Sequence, residues 1–153
     1  MQVTEAISRI RASAHDITDE YDDMECVFAL NTAAYQIASL LISEHYAGLL
    51  AEKDFEEGDA LPDNFFKPAG LYPIRMTGRT VHLLCVGPLH VRYYAMPDEI
   101  VRGGMMPFRL NLLNNLTVKV ALKMLLNEDE FDISQDSGIQ NEIMQAIQTG
   151  TTG

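Results

Sequence analysis

The residues best suited to chemistry are four histidines, two cysteines and a run of carboxylates, and their spacing decides what they can do together. His82 and His90 fall in one predicted sheet, where imidazoles on neighbouring strands could approach as a metal pair. His15 and His45 are scattered elsewhere. Cys85 follows His82 by three residues, and residues three apart on a strand point to opposite faces, so the two do not make a nucleophile with its base. Cys26 and Cys85 share no C-x-x-C spacing and read as small buried hydrophobes in a reducing compartment. Glu44 and His45 are helix neighbours pointing about 100° apart, a poor acid–base pair.

The carboxylates concentrate in "AEKDFEEGDALPDN", with Glu52, Asp54, Glu56, Glu57, Asp59 and Asp63 against Lys53 alone. A glycine among carboxylates invites calcium. Placing Gly58 at the sixth position of an EF-hand loop puts Lys53 first, Phe55 third and Asn64 twelfth, which removes the oxygen ligands. "DISQDSG" fails as well, because Ser137 takes the glycine's place. No phosphate-binding loop, dinucleotide fingerprint, nucleophile elbow or H-E-x-x-H occurs. The expectation is therefore no catalytic, cofactor or metal site, with Glu52 to Asp59 as a solvated loop or strand edge.

With 153 residues, 47% of them hydrophobic, the chain has the size of one domain with one sizeable core. Twenty-two acidic residues against eleven basic ones give a formal charge of −11, which repels a phosphate backbone. "MQVTEAISRI" carries Glu5 and Arg9 and lacks the apolar run of a secretory signal. Residues 26 to 43, "CVFALNTAAYQIASLLIS", are uncharged but interrupted by Asn31, Thr32, Gln36, Ser39 and Ser43. A span needs about 20 predominantly apolar residues, so this is a buried helix and no membrane is expected.

Hydrophobic periodicity organises the chain into an α+β fold, a mainly helical body of about four helices with an inserted antiparallel sheet. The body covers 1–50 and 107–148, the insertion 61–97, and a polar tail 148–153. Thr4 is read as the N-cap of a first helix to about Ser13, with Val3, Ile7 and Ile10 on one stripe. Asp19 or Asp22 caps a second helix, periodic from about Met24 to Leu50. On it Met24, Val27, Ala34, Ile37, Ala38 and Leu41 form one stripe, and Phe28, Tyr35, Ile42 and Leu49 a second. Two stripes imply a helix covered on two sides, by its own chain or by a neighbouring copy.

The insertion shows period two instead. A Thr77-Gly78 turn pairs Met76 with Arg79, Ile74 with Val81 and Tyr72 with Leu83. Gly87-Pro88 then breaks the second strand, and "HVRYYAMP" reads as a third. Pro107 suits the first turn of the next helix, with Leu113, Leu116, Val120 and Met124 at helical spacing. Ser134 caps a last one with Ile139, Ile143 and Ile147 in line. A small sheet must cover its apolar face, against its helices or against the next copy. Phe65, Phe66, Tyr72, Ile74, Tyr93, Tyr94 and Met96 are the candidate partner contacts. Of the adjacent tyrosines, one is expected in the core and the other facing solvent or a partner.

This order of features, with "EYDDMECVFALNTAAYQIASLLI", the insertion carrying "LPDNFF" and "VRYYAMP", and then "ALKMLLNEDEFDISQDSGIQNEIMQAI", resembles the head-to-tail adaptor (connector) proteins of tailed bacteriophages. The resemblance covers most of the chain by organisation. It implies a virion neck protein, made in the host cytoplasm, that forms a homo-oligomeric ring, commonly of twelve copies, beneath the portal. Such a ring touches the portal protein and further neck or tail proteins, carries no catalysis, and lets DNA pass without binding it. Acidic side chains would suit that passage. The alternative reading is a small cytosolic partner-binding or enzymatic domain with a pocket between sheet and helices.

Overall fold

The computed structural model describes residues 1–13, 21–126 and 136–152, which form an α+β fold of four helices and two small antiparallel sheets. The backbone divides into two compact units, Met1–His45 with Pro97–Gly153, and Tyr46–Met96.

The helical unit opens with α1, Val3–Ser13, whose Val3, Ala6, Ile7 and Ile10 are buried at the spacing of one helical face. Thr4 lies inside α1 instead of capping it. The start is held by backbone: Val3 N–H donates to Gly104 O at 3.0 Å, and Gln2 bridges Met105. Helix α2, Asp23–Ser43, is capped by Asp22, whose carboxylate accepts from Glu25 N–H at 2.7 Å. Asp19 lies outside the described residues.

Helix α2 stops seven residues before Leu50, the expected end. His45 turns the chain at φ 60, and His45 N–H and Glu44 N–H close back on Ile42 and Leu40 carbonyls. Histidine is one of the few non-glycine types enriched in that left-handed region, so the stop lacks the glycine that normally marks it. Among the described residues α2 alone is long and apolar enough to cross a membrane, with mean hydropathy 1.5 over a window that is 50% buried in the protein.

Helix α3, Asn111–Leu126, packs against α1, α2 and α4, the last spanning Ser137–Thr152. Leu113, Leu116 and Val120 are buried as the spacing predicts, and so are Asn114, Thr117, Val118 and Ala121, because α3 is covered on several sides. Pro107 sits before α3 rather than in its first turn. Two asparagines explain the extended stretch ahead of the helix. The Asn31 amide pairs with Ile100 N–H (2.7 Å) and Ile100 O (2.9 Å), and the buried Asn114 amide pairs with Phe108 N–H (3.0 Å) and Phe108 O (2.8 Å). Each side chain satisfies backbone groups that no helix or strand could.

In α4, Ile139, Ile143 and Ala146 are buried. Ser134, the expected cap, lies outside the described residues. The described contacts there belong to Asp136, which accepts from Ile139 N–H at 3.0 Å and from Lys123 Nζ at 2.7 Å. The residues expected as a polar tail continue α4 through Thr152, as adding a residue to an existing helix requires no new nucleus.

The β unit begins well before residue 61. Strand β1, Leu50–Phe55, falls in the charged run and pairs with β5, Leu89–Ala95; β2, Phe65–Pro68, flanks β5 on its other side, giving the order β1-β5-β2. Three consecutive charges, Glu52, Lys53 and Asp54, suit an edge strand because they discourage a further chain from adding to it. The hairpin of β3, Ile74–Thr77, and β4, Thr80–Leu83, turns at Gly78-Arg79, pairing Met76 with Val81 and Ile74 with Leu83. Gly78 takes φ +61 as the first loop residue, a position glycine fills without strain. The register thus slips by two residues from the expected one. A slip of two keeps every side chain on its face.

The hairpin's apolar face is covered inside the β unit. Phe55, Val81 and Val91 are fully buried, with Leu61, Tyr72, Ile74, Leu83 and Leu89 packed around them. Each fully buried side chain of this kind contributes about 1.5–3 kcal/mol. The hairpin and the three-stranded sheet therefore supply each other's cover, so neither helices nor a second copy are required for it.

Candidate interaction surfaces

The seven candidate contact residues of the insertion divide once β5 is seen as a central strand. Tyr93 and Tyr94 are both buried, which corrects the expectation that one would face solvent or a partner. Tyr93 stacks on Phe65 with ring centroids 5.0 Å apart, and Lys67 Nζ lies 5.9 Å from the Tyr94 ring centre. Tyr72 and Ile74 pack into the core, and the Tyr72 hydroxyl accepts from Arg92 N–H at 3.0 Å. Phe65 and Met96 are half-buried; Phe66 is exposed. Leu71, Leu84 and Val86, on the bends flanking the hairpin, are the more exposed apolar residues of this unit. Leu84 N–H donates to Pro73 O at 2.8 Å, which ties the two bends together. Sequence alternation concealed them because "LLCVGP" continues the pattern of β4.

On α2 the two stripes separate differently. Ala34, Ile37, Ala38 and Leu41 are buried, as is Ile42, while Met24 (81%), Phe28 (75%) and Tyr35 (57%) stay exposed. These three follow one line at helical spacing, and Leu49 has left the helix for the 3-10 turn Ala47–Leu49. Polar groups along the line bond inward: Thr32 and Ser39 hydroxyls donate to Phe28 O at 3.0 Å and Tyr35 O at 2.9 Å. The result is an aromatic and sulfur-bearing stripe with few polar groups of its own to desolvate.

The two histidines of the β unit do not share a centre. His82 Nδ1 lies 2.9 Å from Glu57 Oε1, and His90 Nδ1 lies 2.6 Å from Asp54 Oδ1, so the two histidines sit on different sheets with separate partners. Among the described residues no group of three or more His, Cys, Asp or Glu side chains could hold a metal ion. The hydrogen bond from His82, helped by Leu83 N–H at 2.6 Å, holds the Glu57 carboxyl below its ordinary range. The Asp54 hydrogen bond raises His90. Cys26 is buried as expected, but Cys85 is exposed, because it lies past the end of β4 and beside an open cleft of about 430 Å³ lined by Glu56, Glu57, Leu83, Gly87 and Pro88. His15 lies outside the described residues.

Of the acidic segment, Glu52, Asp54, Glu56 and Glu57 are exposed and Asp59 is half-buried, accepting from Glu56 N–H at 2.8 Å. Charge is not spread evenly over the chain. The β unit carries six acidic and five basic residues, whereas the helical unit carries sixteen acidic and six basic. No family model matches the chain, and no curated protein matches it significantly.

Proposed function

We propose that this chain is a structural subunit of a tailed-bacteriophage virion, a head-to-tail adaptor that joins copies of itself in a ring beneath the portal. It works by surface contact, without catalysis or cofactor. The order of sequence features supplies the class, and one observation carries the assembly: the exposed stripe of Met24, Phe28 and Tyr35 on a long helix whose opposite face is buried. Exposed aromatic and methionine side chains in line are the composition of interface anchors. A neighbouring copy covering that stripe gives α2 the second covered side that its periodicity calls for.

The charge distribution bears on DNA passage. A polyanion moving through a ring is kept from sticking by carboxylates, and the helical unit holds nearly all of the acidic excess. The channel lining is accordingly assigned to the helical unit. Glu52 to Asp59 is a weaker candidate, since Arg92, His90 and His82 already face Glu52, Asp54 and Glu57.

Native mass spectrometry of the purified chain, alone and with its portal, tests the reading. A closed oligomer or portal-bound ring is expected. A monomer under both conditions overturns it, whereas a Phe28→Glu, Tyr35→Glu double variant that assembles like the wild type overturns the assignment of the contact to α2.

A further inference from the structure

Both nitrogens of the His90 ring face carboxylates of one strand. Nδ1 lies 2.6 Å from Asp54 Oδ1, and Nε2 lies 3.4 Å from Glu52 Oε2. A neutral imidazole has one N–H and one lone pair, so it can donate to only one of these carboxylates and must turn its lone pair toward the other. The imidazolium donates to both. Strand register adds a second cation: Glu52 pairs with Arg92 and Asp54 with His90, and Arg92 Nε lies 3.4 Å from Glu52 Oε1. Alternate carboxylates of β1 are thus met by the two cationic side chains of β5.

We propose that Glu52, Asp54, His90 and Arg92 form a proton-operated clasp that fastens the edge strand β1 to β5 while His90 is charged and slackens when His90 loses its proton. The charges around the ring support this. β1 contributes Glu52 and Asp54 to this face; Lys53 lies on the opposite face, paired with Val91, its Nζ 5.4 Å from the Phe55 ring centre. β5 contributes Arg92, which is matched to Glu52. β2, on the other side of β5, contributes Lys67 at the level of Tyr94. The two carboxylates are therefore the ring's own hydrogen-bonding partners, and they favour its charged form.

Asp54 first, then Glu52, raises His90 above its ordinary 6.5 against the opposing effect of desolvation. The clasp is complete below pH 6.5 and is lost as pH rises through the folded-state value. β1 is where such a contact matters, because it is hydrogen-bonded to a neighbouring strand on one side only. Its continuation is held by the other sheet's histidine through Glu57.

NMR on the full chain tests the clasp by following the His90 ring, and the exchange protection of β1 amides, between about pH 5.5 and 9. His90 should titrate above 6.5, and β1 protection, corrected for intrinsic exchange, should fall about two- to fivefold across that step, in the range of exposed ion pairs. Amides of the β3–β4 hairpin should not follow. Asp54→Asn should return His90 toward 6.5, and His90→Gln should leave β1 protection independent of pH. The proposal is overturned if wild-type His90 titrates at or below 6.5, if β1 protection ignores the step, or if the step survives in His90→Gln.

Discussion

Strand β5 of the β unit and helix α2 of the helical unit place their aromatic residues in opposite ways. In the β unit Tyr93 and Tyr94 are buried although they point to opposite faces of one strand; in the helical unit Phe28 and Tyr35 are exposed although they lie on the most hydrophobic helix. A central strand of a packed sheet can be covered on both faces, whereas a helix buries only the faces its neighbours reach. Partner surfaces are therefore better sought on the helix than on the strand. Replacing Tyr72 or Ile74 would damage the β core, so it cannot serve as a clean test of assembly.

Core substitutions should separate the units most strongly. Leu30→Ala, at a fully buried position of α2, should cost about 2–5 kcal/mol in denaturant unfolding. Val81→Ala should disrupt the smaller core of the β unit, and helical circular dichroism that falls in step with β-unit unfolding would show that the two melt as one.

Next in size is Asn114→Ala, which leaves Phe108 N–H and C=O without their partner. A loss of about 1–3 kcal/mol is expected, and full stability would mean that water replaces the amide. Asp22→Ala removes the α2 cap and should cost about 1 kcal/mol, with no effect on β-unit amides. On the surface, Leu71→Ser with Val86→Ser should leave stability within about 0.5 kcal/mol. If that pair abolishes assembly while Phe28→Glu, Tyr35→Glu does not, the comparison is inverted and the β unit carries the contact.

The smallest effect is acidic. Glu57 and Asp136 are both held below their ordinary values of 4.5 and 3.8, so each contributes stability above those values that is lost as pH falls through its lower folded value. Glu57→Gln should remove part of the acid limb from β-unit amides, and Asp136→Asn from those of α4. Hydrogen exchange distinguishes them, and a mutation that alters both units alike would contradict their separation.

Much of the fold was readable in the residues themselves. The stripes of α1, α3 and α4, the Asp22 cap and the period-two hairpin are local patterns, set by side-chain spacing, by capping oxygens and by what glycine allows, whereas β4 ends at Leu83, ahead of the Gly87-Pro88 break that the sequence suggests. Tertiary structure decided the rest. Three charges in six residues concealed β1, whose place depends on pairing with Leu89–Ala95, about forty residues later in the chain. His45 ended α2 without a glycine, and Gly78 moved the hairpin register by setting which residues could turn. Tyr93 and Tyr94 are buried with Phe65 and Lys67 of β2 over their rings, and His90 gained two carboxylates because β1 came alongside. Spacing determines which side chains share a face; only packing determines what that face meets, since burial and ion pairing depend on segments far apart in the chain.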